Sequence, residues 1–263
     1  GSYRQALRRG IELVDRDVLH KLVLAVRQSI WLESPLDPLS ILARLRHHQS
    51  GSCRFLWQRA FGQPFFGASP ERLLSLNKGK LRIDALAGTA QRSSQDKSLL
   101  NSEKDRREHE LVVSSIVNQL ASQGLSPFRP RSPEIARHGQ LLHLHTPITA
   151  VVKCQSPLQI AESLHPTPAV AGLPRREAMN WLRTLEPFER GMYAAPIGWI
   201  DTAGNAEFRV AIRCGQVRGD YLDLMAGAGL VKGSLAENEL KEIELKLGVL
   251  ANQLDLRSNT QFI

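Results

Sequence analysis

From residue 72 to residue 226 most candidate strands of this chain come in pairs joined by short polar turns. Residues 72–76 and 81–86 flank Asn77-Lys78-Gly79-Lys80, and segments 196–200, 208–213 and 221–226 are joined by Asp201-Thr202-Ala203-Gly204-Asn205 and Val217-Arg218-Gly219-Asp220. Gly, Asn and Asp in such connections supply left-handed backbone and local turn hydrogen bonds. A parallel pair needs a crossover of a dozen or more residues, which these turns do not provide. The pattern therefore predicts an α+β fold with mainly antiparallel β-sheets packed together and flanking helices. Further strands are expected at 21–26, 53–57, 64–67 and 142–152. Helices are expected from about Asp17 or Val18, at 38–45, from Ser94 to Ser122, at 157–164 and 174–185, and from Glu237 to Asn252. In the long helix Leu111, Val112, Ile116 and Leu120 share one face.

The chain has 263 residues, enough for one large domain or two small ones. Its apolar fraction of 42% is that of a soluble globular protein. Uninterrupted apolar runs stay short of a membrane span. Gly1-Ser2 reads as a cloning scar with no signal-peptide pattern behind it. Cys53, Cys154 and Cys214 are isolated and odd in number, which argues for a reducing compartment and against a disulfide framework or a zinc site. A net charge of +8 suits an anionic partner. The basic residues are scattered without interleaved aromatics, so nucleic acid is not expected, and a small polyanion or a solvated basic surface fits the charge.

Two clusters could carry chemistry. Gly227-Ala228-Gly229 reads as a loop offering backbone N–H groups and close approach to an anion. Glu239, Glu242 and Lys246 follow it at spacings of three and four, on one helical face. The second cluster is the acidic helix Glu103-Lys104-Asp105-Arg106-Arg107-Glu108-His109-Glu110. Oxygen donors without a Cys/His set point to Mg²⁺ rather than Zn²⁺, although a solvent face laced with ion pairs has the same composition. Glu71, in a tight turn beside aromatic strands, is either an exposed turn residue or a desolvated carboxyl able to donate a proton. Lys21 at the edge of an apolar strand is either a solvated flank or a base. His165-Pro166-Thr167-Pro168-Ala169 is a rigid turn, structural or aiming a histidine.

Taken together these motifs resemble the chorismate-utilising enzymes, over about Lys21 to Leu256. The carriers are Lys21-Leu22-Val23-Leu24-Ala25, Phe66-Gly67-Ala68-Ser69-Pro70-Glu71, Leu86-Ala87-Gly88-Thr89-Ala90, residues 102–111, His165-Pro166-Thr167-Pro168-Ala169, Ile212-Arg213-Cys214 and the C-terminal cluster. The resemblance implies the chorismate-binding fold shared with anthranilate synthase component I, in a single catalytic domain. It implies that Lys21 activates water for attack on C2 of chorismate and that Glu71 protonates the departing C4 hydroxyl. Glu108 and Glu242 are implied as Mg²⁺ ligands, with Glu239, and Asp105 similarly, supporting the metal through water. Arg213, Lys246 and the backbone of Gly227, Ala228 and Gly229 are implied to clamp the enolpyruvyl carboxylate. Gly88 would lie where substrate or water passes, and His165 and Tyr193 would line the pocket.

Within the family, Ala87 stands where aminodeoxychorismate-forming members often carry a nucleophilic lysine. Ala90-Gln91 replaces the Arg-Pro usual in anthranilate-forming members, and the His-Pro-Thr-Pro-Ala turn is not typical of salicylate-forming ones. The isochorismate-forming branch is the expectation, with the salicylate-forming branch next and a non-catalytic module of the same fold as the reading outside the enzymes. Residues 190–199 resemble forms serving menaquinone or phylloquinone biosynthesis. The expected partners are chorismate and isochorismate, with no nucleic acid and no membrane. A monomer is expected, in the cytoplasm, or in a plastid for a plant protein. Family members carry a long extra segment before the equivalent of Lys21, where this sequence has twenty residues, so a catalytic-region fragment is expected.

Overall fold

The turn after residue 77 shows how local sequence builds this fold. Lys78 and Gly79 both have positive φ (48° and 76°), the geometry of a two-residue hairpin turn whose twist matches its strands. The connection is tighter than the four-residue turn expected. In the computed structural model, which describes residues 2–58, 63–92 and 98–254, this hairpin belongs to one of two six-stranded sheets.

Sheet A has the order β2 (Cys53–Gln58), β3 (Pro64–Ser69), β11 (Cys214–Arg218), β12 (Tyr221–Leu230), β1 (Lys21–Trp31) and β8 (Gly172–Leu173). Sheet B has the order β6 (Glu134–His138), β7 (Leu141–Val151), β5 (Lys80–Gln91), β4 (Arg72–Asn77), β10 (Ala206–Val210) and β9 (Pro196–Ile200). Every pairing among the described residues is antiparallel. The α+β expectation holds.

Seven helices flank the sheets among the described residues: α1 (Ser2–Asp15), α2 (Pro38–His48), α3 (Ser98–Asn101), α4 (Glu103–Ser122), α5 (Pro157–Leu164), α6 (Arg175–Leu185) and α7 (Ala236–Ala251). α4 and α5 lie on β4, β5 and β7, while α1, α2, α6 and α7 lie on sheet A. One core cluster joins Ala25, Phe65 and Met225 of sheet A to Leu74, Leu81 and Ile83 of sheet B and to Val112, Ile116 and Leu120 of α4. A second packs Ile41 and Leu45 of α2 and Ile243 and Leu247 of α7 against Phe66, Leu224 and Ala228. Each such Leu, Ile, Val, Phe or Met side chain contributes about 1.5–3 kcal/mol by leaving water. Among the described residues no helix is long and apolar enough to cross a membrane.

Several elements differ from expectation. The first helix ends at Asp15, before the start expected near Asp17, and Leu7 and Val14 bury its inner face. The long helix is broken by Ser102, whose side chain accepts the Asp105 N–H and caps α4; its expected start falls outside the described residues. The strand expected to reach Arg213 stops at Val210, and β11 begins at Cys214. β6 was not expected at all. The Gly227-Ala228-Gly229 segment is strand, not loop, in register with β1.

Candidate active site

The chain passes from sheet A to sheet B at Pro70-Glu71 and back from B to A through Ala211-Ile212-Arg213. The two crossings run side by side. Val210 N–H donates to Glu71 O at 3.1 Å, Ala68 N–H to Arg213 O at 3.1 Å, and Ser69 Oγ to Val210 O at 2.6 Å. Arg213 takes positive φ (52°), an uncommon conformation for an arginine, and a Cβ on Gly67 would sit 2.6 Å from its carbonyl oxygen. The crossings leave Glu71 and Arg213 buried, 6% and 7% exposed, at the seam of the two sheets.

A cleft of about 540 Å³ including its mouth opens at this seam. Of the residues named from sequence, Lys21, Glu71, Gly88, Glu108, Tyr193, Arg213, Gly227, Gly229, Glu242 and Lys246 line it. β1 and β12 supply Lys21, Val23, Gly227 and Gly229. α4 reaches in with Glu108 and α7 with Glu242 and Lys246, while β5 contributes residues 86–89. Strand alternation excludes Ala228, which points to the opposite face beside Phe66 and Leu247.

The two glycines are needed for close approach. A Cβ on Gly229 would lie 2.1 Å from Glu108 Oε1, and one on Gly227 3.1 Å from the Tyr193 hydroxyl. Gly229→Ala therefore displaces the Glu108 carboxylate. The expected result is a folded protein with turnover down at least about 10-fold, checked by kinetics beside a melting curve. The expected backbone donors come from a strand edge. Val23 N–H donates to Ala171 O and Ala25 N–H to Glu186 Oε1, both away from β12. Their register partners Gly229 and Gly227 accordingly turn N–H and C=O away from β1. β11 pairs no further than Met225, so no strand stands opposite them there among the described residues.

Two lysine–glutamate pairs lie in the cleft. Lys21 Nζ lies 2.9 Å from Glu108 Oε1, with side chains 1% and 7% exposed. The separation is that of an ion pair, but the angle does not make a hydrogen bond. Lys246 Nζ lies 2.5 Å from Glu242 Oε1 and donates to Gly227 O at 2.7 Å. Behind the cleft Lys104 Nζ donates to Glu239 Oε1 at 2.6 Å, and Glu239 Oε2 is buried without a partner. Burial pushes the Glu71 carboxyl up to about 7, with Lys21 the main opposing influence. Burial is the largest influence on Glu242 and would raise it, but Lys246 beside it, with Lys104 and Arg213, together hold it below the usual range. In Glu239 burial outweighs Lys104, and its carboxyl is raised. Asp105, raised by burial, abuts Gly88, whose positive φ (71°) and missing Cβ let it pass.

His165 caps the C-terminus of α5 and does not line the cleft; burial lowers its pKa to about 4. Its turn serves the site through Thr167 instead, whose Oγ1 donates to Glu71 Oε1 at 3.4 Å. His143 also lines the cleft and was not singled out from the sequence. Its Nδ1 lies 3.0 Å from Gly88 O, an acceptor only, so that nitrogen carries the proton. Nε2 is buried without a partner, and burial holds the ring neutral. The available signal was a histidine on the inward alternation of an apolar strand.

Among the described residues no three His, Cys, Asp or Glu side chains converge closely enough to hold a cation unaided. Glu108 and Glu242 nevertheless offer two hard carboxylates on one cleft, with the unpartnered Glu239 Oε2 behind them. Mg²⁺ is commonly held by one or two carboxylates, with water and substrate oxygens completing the shell, and this donor set fits that mode.

Two antiparallel sheets thus bring a buried carboxyl, a buried amine, a carboxylate pair and cationic groups together at their seam. The chain matches the chorismate binding enzyme family over residues 1–255 and belongs to it. It is 36% identical over 242 residues to the isochorismate synthase MenF of Bacillus subtilis, an alignment covering 89% of this chain and 51% of that protein. It is 37% identical over 247 residues to the salicylate biosynthesis isochorismate synthase of Pseudomonas aeruginosa, covering 89% and 50%. The solved structure of MenF, the menaquinone-specific isochorismate synthase from Escherichia coli, superposes with a TM-score of 0.87 at 31% identity, covering 97% of this chain and 60% of that one. The chain thus spans about half the length of these two curated relatives.

Proposed function

We propose that residues 1–263 form a catalytic domain that isomerises chorismate to isochorismate with Mg²⁺. The observation that carries this reading is the carboxyl of Glu71, which stays protonated to about pH 7 in a cleft it shares with the buried amine of Lys21. In this reading Lys21, once its ammonium has released a proton and left the pair with Glu108, removes as a neutral amine a proton from water as the water oxygen bonds to C2. Both ring double bonds shift, the C4–O bond breaks, and Glu71 donates its proton so that the hydroxyl leaves as water. The roles can exchange on the return path, since one hydroxyl replaces another. Arg213, Lys246 and the amides of Gly227 and Gly229 bind substrate carboxylate. His143 Nε2 accepts from a ring hydroxyl or from the attacking water. Mg²⁺ held by Glu108 and Glu242 would place positive charge against the second carboxylate of the dianion.

The branch within the family is supported by Ala87, which lines the cleft and leaves it without an amine nucleophile at that point. Use of the product for quinones is supported by the MenF relatives. Incubation of chorismate with the protein and Mg²⁺ is expected to give isochorismate. Salicylate with pyruvate would select the salicylate-forming alternative, and no turnover the non-catalytic module. Chelation with EDTA is expected to remove activity, and excess Mg²⁺ to restore it.

A further inference from the structure

The outer edge of β1 is only partly covered by backbone. β8 pairs with Lys21 and Leu22, and Val23 N–H still reaches Ala171 O at 2.7 Å. Beyond that point a side-chain ion pair takes over the edge. Glu186, which caps α6, accepts Ala25 N–H at 2.8 Å, and Arg190 Nη2 donates to Val23 O at 2.7 Å. Arg190 closes the pair through Nε to Glu186 Oε2 at 2.8 Å and Nη2 to Oε1 at 2.5 Å. Its Nη1 donates to Val170 O at 2.6 Å, and its guanidinium lies 5.9 Å from the Tyr193 ring centre. Val23, Val170 and Tyr193 all line the cleft, while Glu186 and Arg190 do not.

We propose that Glu186 and Arg190 are positioning residues whose ion pair stands in for a strand along β1 and fixes three cleft walls from behind. The inference rests on the proposed reaction, because Lys21 is carried by the same strand edge two residues before Val23. Only a planar fork with several donors can serve Glu186, Val23 O and Val170 O together; a lysine is a point charge on a flexible stem. A buried ion pair is weak evidence of stabilisation, since apolar groups of similar size often replace one at no loss. Holding the walls in place is the function that such a replacement would not restore.

Two variants separate positioning from simple support. Arg190→Lys keeps the charge and loses the fork; kcat is expected to fall roughly 10- to 100-fold, with KM changing by less than that factor. Glu186→Leu/Arg190→Met leaves no unpaired buried charge and removes the acceptor of Ala25 N–H and the donor of Val23 O and Val170 O; it is expected to fold while kcat stays low. Its Ala25 amide should exchange with solvent at least about 10-fold faster than in wild type. A kcat within about threefold of wild type in either folded variant overturns the proposal. If the double variant does not fold, Arg190→Lys decides alone. Were the wild-type protein unable to turn over chorismate, the proposed reaction would fail, and the amide exchange would still judge the clamp: unchanged Ala25 protection sinks it.

Discussion

Replacing Glu71 by glutamine is expected to cost about 10²- to 10⁴-fold in turnover of chorismate and, at alkaline pH, to stabilise the fold. Both effects come from the burial that raises this carboxyl to about 7 from its ordinary value of 4.5. A carboxyl whose folded pKa is raised keeps its proton in the native state after the unfolded chain has lost it. It therefore adds nothing unfavourable below pH 4.5, opposes folding increasingly between 4.5 and 7, and imposes its full penalty above 7. That penalty is about 3 kcal/mol at pH 8 and about 1 kcal/mol at pH 5. Glutamine has nothing to ionise, so Glu71→Gln should gain most over wild type at pH 8. Packing effects are common to both pH values and cancel in the comparison. Melting curves at the two values, beside product assays, check the pair of outcomes. Turnover within about 10-fold of wild type would remove Glu71 from the role of acid.

The second large effect concerns Lys21. Lys21→Met leaves the Glu108 carboxylate, 7% exposed, without its ion partner. Removing one member of a buried pair costs about 3–5 kcal/mol, whereas replacing both members by neutral groups is often close to neutral. In metal-free buffer Lys21→Met is expected to lose that much stability, and Lys21→Met/Glu108→Gln to regain most of it. Neither should recover turnover, which falls by about 10² or more once the base is gone. Denaturant titrations of the four proteins in the cycle, read with activity, test this. A double variant no more stable than Lys21→Met would mean that Lys21 and Glu108 do not compensate each other.

Much of the site was legible as residue types in order. Lys21, Glu71, Glu108, Arg213, Glu242 and Lys246 reach one cleft from β1, the two sheet crossings, α4 and α7. What sequence reasoning missed shares one cause. It took Gly227-Ala228-Gly229 for a loop because glycine is a poor strand former. In the structure β12 runs through them because glycine alone leaves room for Glu108 and Tyr193. Once the segment is strand, alternation sends Ala228 to the other face. The His-Pro-Thr-Pro turn reaches Glu71 through Thr167 rather than His165. Which side chain of a rigid turn faces a site depends on the element opposite, and no local period encodes that.

The sequence by itself determined the antiparallel character of the sheets, the helical faces of α4 and α7, and the chemical groups available for catalysis. These follow from turn chemistry and from side-chain periods acting over a few residues. Only the tertiary structure decided which lysine faces which carboxylate, that Glu71 holds its proton to about pH 7 while Glu242 does not, and that an ion pair from beyond α6 lines the edge of β1. Pairing and desolvation are sums over neighbours from segments far apart in the chain, and those neighbours exist only once the two sheets have met.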